Sequence, residues 1–290
     1  MNLLIRADSS SQIGLGHIMR DLVLAQQYPH ANIIFACQNL AGNIMDNIPY
    51  AVHVLKSNTP EELIEVIKDN NISRVIFDHY EIDHLFEKMV KESTGITIVS
   101  LDDTYQKHCC DILINPNIYA DEKRYSNLIP VHCKLRCGDE FILIRDEFRK
   151  EKLLIREKIY DIFIAMGGSD PKNLTLNILQ TLTNALRICV VTTTANSHLD
   201  VLKKIMKEND NVTLHINSPK IAKLLHQSRL AIITPSVIAN EAYFMELPFI
   251  AIQTADNQKE MVKFLEKNSY TAIREFNSAI LTKQIEEMLR

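Results

Sequence analysis

The chain has 290 residues, enough for two hydrophobic cores, and carries 32 Lys and Arg against 36 Asp and Glu. The net charge of −4 argues against general nucleic-acid binding, and 46% hydrophobic with 23% charged residues excludes a disordered chain. The longest uncharged apolar runs, near Leu230–Ile233 and Phe249–Ile252, fall far short of the roughly 20 residues that cross a bilayer.

Met1–Arg6 is strand-like, with no basic segment before it as a secretory signal requires, so the cytoplasm is the expected compartment. Strand-like runs then alternate with helix-like segments to the end of the chain. In the first half strands are expected at Leu3–Ala7, Ile33–Cys37, Val52–Leu55, Val75–Asp78, Ile96–Leu101 and Ile112–Asn115. Helices are expected at His17–Tyr28, Glu61–Asn70 and His84–Ser93. The run Thr59-Pro60-Glu61-Glu62 combines a capping residue, a proline at the first helical position and first-turn acids. The charged stretch Asp146–Tyr160 breaks the rhythm and reads as a solvated connector, partly helical. Strands follow at Asp161–Met166, Ile188–Thr193, Val212–Ile216, Leu230–Thr234, Phe249–Gln253 and Tyr270–Ile273. Their helices are expected at Leu174–Leu182, Leu199–Glu208, Pro219–Gln227, Val237–Met245, Gln258–Lys267 and Ala279–Leu289.

This alternation predicts the α/β class, with two Rossmann-like domains of parallel sheet, 1–150 and 156–290, facing an interdomain cleft. Six cysteines in a chain of this size do not suggest a disulfide framework. Cys133 and Cys137 have a spacing seen in some zinc sites, but no second pair lies at a usual distance, so they read as small buried strand residues.

Each half opens with a strand, a glycine-containing polar loop and a helix. In the first, Gly14-Leu15-Gly16-His17 is neither a dinucleotide fingerprint nor a P-loop. Its glycines let backbone approach a ligand. His17 stands where a helix begins, and the positive end of the helix dipole keeps an imidazole there neutral and able to take a proton. The bland alternative is a histidine that only packs. In the second half Gly167-Gly168-Ser169-Asp170, followed by Asn173 at a helix start, suits an anion such as phosphate, or is a plain turn capped by Ser or Asp. Glu241, expected in the first turn or so of its helix, suits a ribose diol or is an ordinary helix acid. The loop Thr254–Gln258, with Asn257, also ends a strand and starts a helix, and Tyr80 at a strand end is a substrate donor or a packed aromatic. Asp102-Asp103 is an acidic pair of the kind usual in exposed turns and a weak candidate for Mg²⁺.

The segment IRADSSSQIGLGHIMRDLVLA (5–25) resembles the N-terminal signature of the UDP-2,4-diacetamido-2,4,6-trideoxy-β-L-altropyranose hydrolases of pseudaminic acid biosynthesis. The resemblance continues in order through FDHY (77–80), CDILIN (110–115), RCG (136–138), LIRDEF (143–148), MGGSDPKN (166–173), the segment 236–242 and Asn257-Gln258, over nearly the whole chain. It implies a GT-B fold similar to MurG and hydrolysis of a UDP-sugar by water, with His17 as base. It also implies substrate contacts from Asn173, Glu241, Tyr80 and Asn257; from the loops themselves, the backbones of Gly14, Gly16, Gly167, Gly168 and Ser169 are expected to approach the ligand. No metal, cofactor, nucleic acid or membrane is expected, and the protein is expected to be a monomer. UDP is already a good leaving group, so the paired carboxylates of glycosidases are not needed. What orients His17 is left open between Asp8 and a backbone carbonyl. A GT-B glycosyltransferase, a related epimerase and a UDP-sugar sensor are the rivals. Fold does not separate them, and a sensor has no need of His17.

Overall fold

Leu3, Leu4 and Ile5 of β1 (Asn2–Ala7) are fully buried, as a strand central to a parallel sheet with both faces covered must be. The computed structural model describes residues 1–290 apart from the side chain of Asp139. It divides into two units, Met1–Leu143 and Ile144–Arg290.

In the first unit β1 is followed by α1 (Gly16–Ala25), β2 (Asn32–Gln38), β3 (Ala51–Leu55), α2 (Pro60–Asp69), β4 (Arg74–Asp78), α3 (His84–Thr94), β5 (Thr97–Leu101), β6 (Ile112–Asn115) and β7 (Lys134–Cys137). The sheet order is β3-β2-β1-β4-β5-β6-β7, with every pairing parallel. One apolar cluster covers each face: Leu4, Val75, Phe77 and Ile98 point to one, Leu3, Ile5, Ile76 and Val99 to the other. The order reverses between β1 and β4, which opens a crevice at their carboxyl ends where α/β sheets bind ligands. α2 starts at the expected proline, but the Thr59 hydroxyl makes no capping bond. Instead Glu62 accepts from the amides of Lys56 and Ser57, each at 2.8 Å.

The second unit begins with α4 (Asp146–Lys152), inside the stretch read as a connector. β8 (Tyr160–Ala165), α5 (Leu174–Leu179), β9 (Ile188–Thr192), α6 (Leu199–Glu208), β10 (Val212–Ile216), α7 (Ile221–His226), β11 (Ser228–Ile233), α8 (Val237–Phe244), β12 (Phe249–Ile252), α9 (Lys259–Lys267), β13 (Thr271–Ile273) and α10 (Ser278–Leu289) follow. The order is β10-β9-β8-β11-β12-β13, again all parallel, with its reversal between β8 and β11. α4 is no free linker: Arg145 before it pairs with Glu241 of α8, and Lys152 at its end pairs with Glu246. β7 is an addition to the strands expected from sequence. Leu135 and Cys137 pack on the core beneath it, so the Cys133–Cys137 segment serves the sheet.

Candidate active site

In the first unit the crevice between β1 and β4 is built by three chain segments. After β1, Ser10 and Gly14 bond to each other's backbone at 2.9 and 3.3 Å, closing a tight loop. The loop requires φ +85° at Gly14, a conformation that favours glycine. The chain then enters α1 at Gly16. Helical periodicity places His17, Arg20, Asp21 and Leu24 on one face of α1, and all four are buried. That face meets the end of β4, because Ala7 of β1 pairs in register with Asp78.

His17 Nδ1 lies 3.1 Å from the backbone oxygen of Asp78. A carbonyl only accepts, so Nδ1 carries the hydrogen and Nε2 keeps its lone pair. Burial holds the imidazole below its ordinary pKa, with Arg20 and His79 acting in the same direction against Asp78 and Asp103. The neutrality expected from the helix terminus is thus present, with burial as its largest cause. Tyr80 meets the His17 ring edge to face, with centroids 4.7 Å apart, and is 48% exposed. The orienting group is therefore the Asp78 carbonyl. Asp8 is committed elsewhere, to Arg6 at 2.7 Å and His79 at 3.1 Å. Burial opposes the charge on Asp8, but His79 and Arg6 hold its carboxyl well below the usual range.

Behind His17, Arg20 grips both carboxylate oxygens of Asp78, through Nε at 2.6 Å and through Nη2, and reaches Asp103 Oδ2 through Nη1 at 2.6 Å. Tyr80 donates to the same Asp103 oxygen at 3.2 Å. Burial alone raises Asp78, but Arg20 and then His17 hold it below the usual carboxylate value. The acidic pair is not an exposed turn. Asp102 and Asp103 are buried, and Asp102 is spent on the amides of Thr104 and Gln106.

In the second unit the loop after β8 is held by its own polar groups. Gly167 takes φ +87°, and the Gly168 carbonyl accepts from Thr193 at 2.9 Å. Ser169 is half-buried. Asp170 accepts from the amides of Leu174 and Thr175 at 2.9 and 2.8 Å. The first amides of α5 are thus met by an aspartate cap, the capped turn that the sequence offered as the alternative to a phosphate seat. Asn173 stands at the helix start in the left-handed region, and its Oδ1 is buried with no partner among the described residues. Glu241 lies just past the first turn of α8, within the span expected, and is fully buried, with Arg145 Nε on Oε1 at 2.6 Å and Nη2 on Oε2 at 2.8 Å. Burial pushes its pKa up even against this partner. Asn257 is exposed in the short helical turn Asp256–Gln258 beyond β12.

Among known proteins the chain is 44% identical to the UDP-2,4-diacetamido-2,4,6-trideoxy-beta-L-altropyranose hydrolase of Campylobacter jejuni, over 93% of this chain and 98% of that one. The chain belongs to this hydrolase family. No protein-family model matches the chain. In fold, the hydrolase-family chain is similar to Acinetobacter baumannii MurG, with a TM-score of 0.63 and 11% identity over 100% of this chain and 91% of that one. It is also similar to S. aureus MnaA in complex with UDP, with a TM-score of 0.60 and 12% identity over 99% of this chain and 87% of that one. Two parallel-sheet domains of GT-B type are therefore the architecture of this family member. No helix among the described residues is long and apolar enough to cross a membrane. Sequence reasoning did not assign roles to Arg20, Asp78 or Arg145, although all three lie inside the segments that carry the resemblance, and it weighed Asp103 only as half of an acidic pair for Mg²⁺.

Proposed function

We propose that the chain hydrolyses UDP-2,4-diacetamido-2,4,6-trideoxy-β-L-altropyranose to UDP and 2,4-diacetamido-2,4,6-trideoxy-L-altrose, with His17 as general base. The observation that carries this reading is the His17–Asp78 contact, which leaves Nε2 of a buried, neutral ring as the proton acceptor. A water oxygen attacks the anomeric carbon as its proton passes to Nε2. The bond from that carbon to the β-phosphate oxygen breaks, and its electron pair leaves with UDP. The imidazolium then returns its proton to solvent. Direct displacement inverts the anomeric centre and forms no covalent intermediate. Tyr80, half-exposed against the base, meets the sugar, and Gly14 and Gly16 let backbone approach it.

The second unit is assigned UDP. Gly167, Gly168, Ser169 and Asn173 follow β8, Glu241 follows β11 and Asn257 follows β12, all beyond the carboxyl ends of strands. The unpartnered Asn173 Oδ1 is suited to a donor from the ligand. Arg145 occupies one lone pair on each Glu241 oxygen and leaves others for ribose hydroxyls, which reach this buried carboxylate only when the local packing opens. Exchange of an acceptor for water is what separates hydrolysis from glycosyl transfer. NMR of the protein with the UDP-sugar tests the reading: UDP and free sugar are expected in water alone, and product formation only with an added acceptor favours a transferase.

A further inference from the structure

We propose that Arg20 is a positioning residue for this hydrolysis, its guanidinium fixing Asp78 and Asp103 and, through them, the carbonyl that selects the His17 tautomer and the tyrosine packed against the ring. This rests on the reading of His17 as base. Two contacts of the His17 ring, to the Asp78 carbonyl and to Tyr80, trace back to this one cation. Arg20 binds Asp78 through two nitrogens, and the backbone oxygen of Asp78 receives His17 Nδ1–H. Its remaining terminal nitrogen holds Asp103, which receives Tyr80 Oη–H. Asp103 is itself anchored, its backbone oxygen accepting from Tyr119 Oη at 2.7 Å. Lysine offers one point charge and cannot span two carboxylates in this fork geometry.

The arrangement also sets the field at the base. The groups facing the base are Arg20 from α1, Asp78, His79 and Tyr80 from the end of β4 and Asp103 from beyond β5, with Asp21 of α1 and Tyr119 from beyond β6 acting on those partners. Asp21 is fully buried, and neither of its oxygens has a hydrogen-bond partner among the described residues. Its burial and the nearby Asp78 push its pKa well above the usual carboxylate value. Arg20 therefore balances two carboxylates beside a histidine that works only when neutral. Removing the guanidinium leaves Asp78 and Asp103 uncompensated and raises the basicity of His17. Removing Asp103 does the reverse.

The test is the pH dependence of kcat/KM for UDP release, which reports groups of the free enzyme. In Arg20→Gln the acid limb is expected to move to higher pH by about 0.5–1 unit, the scale of one partly buried charge. Adding Asp103→Asn to Arg20→Gln is expected to bring it back, and Asp103→Asn alone to move it lower. Arg20→Lys keeps the charge and loses the fork, so its limb is expected to stay while kcat falls about tenfold or more. Should Arg20→Gln not fold, the Asp103→Asn shift carries the test, since Arg20 keeps Asp78 there. Rates that fall equally at every pH, with the limb unmoved in Arg20→Gln and Asp103→Asn, overturn the proposal. Retention of turnover and of the same limb in His17→Asn sinks the His17 reading instead, which separates the two failures.

Discussion

Arg145 and Glu241 lie 96 residues apart in sequence and meet through two parallel hydrogen bonds of 2.6 and 2.8 Å. This pair ties the segment entering α4 to α8, and it places a carboxylate of fixed orientation just past the strand end at β11.

If Glu241 receives the ribose hydroxyls, Glu241→Ala weakens UDP binding about tenfold, or roughly 1.4 kcal/mol, and raises KM. Calorimetry with UDP reads this directly, and thermal melting of the same variant checks that the loss of the Arg145 partner has not unfolded the unit. Unchanged UDP affinity removes the ribose role and leaves the pair as a tie between helices.

Asp170 caps α5 with both of its oxygens. Asp170→Ala is expected to lower stability by about 0.5–2 kcal/mol in denaturant unfolding. Stability equal to that of the unsubstituted chain contradicts the cap.

His108 carries a pH signature of its own. Burial disfavours its charge, but Glu87 at 2.7 Å and Asp102 at 3.8 Å raise its pKa above the ordinary value of 6.5. A raised folded pKa means that its stabilising contribution is full below the unfolded value and is lost as pH rises through the folded one. The stability gap between the unsubstituted chain and His108→Gln should be widest below about pH 6.5 and narrow above it. A gap that widens with pH reverses the sign and contradicts the assignment.

Much of this was legible in the sequence, for physical reasons. Apolar runs such as Leu3–Ile5 and Leu230–Ile233 mark strands buried on both faces. A glycine loop before a helix located His17. β7 escaped notice because its four residues, Lys134–Cys137, are only partly buried or exposed at a sheet edge. The network behind the base was hidden for a different reason. Arg20 and Asp21 have no partner visible in the local sequence until the fold brings up Asp78, 58 residues beyond Arg20, and Asp103, 83 residues beyond it. Likewise the residues after β8 suggested a phosphate seat or a capped turn, and the folded loop shows Asp170 turned back onto the amides of Leu174 and Thr175.

With UDP as a good leaving group, the proposed chemistry calls on no metal. Turnover is expected to persist undiminished in excess EDTA. A rate abolished by EDTA and restored by Mg²⁺ overturns that part of the mechanism.

The most direct measurement of the central claim is the turnover of His17→Asn with the UDP-sugar, set beside its affinity for UDP. Asparagine keeps an N–H to offer the Asp78 carbonyl and loses the basic nitrogen. The account predicts a kcat lower by about 10²–10⁴ with UDP binding almost intact. A variant that turns over at a near-normal rate contradicts it.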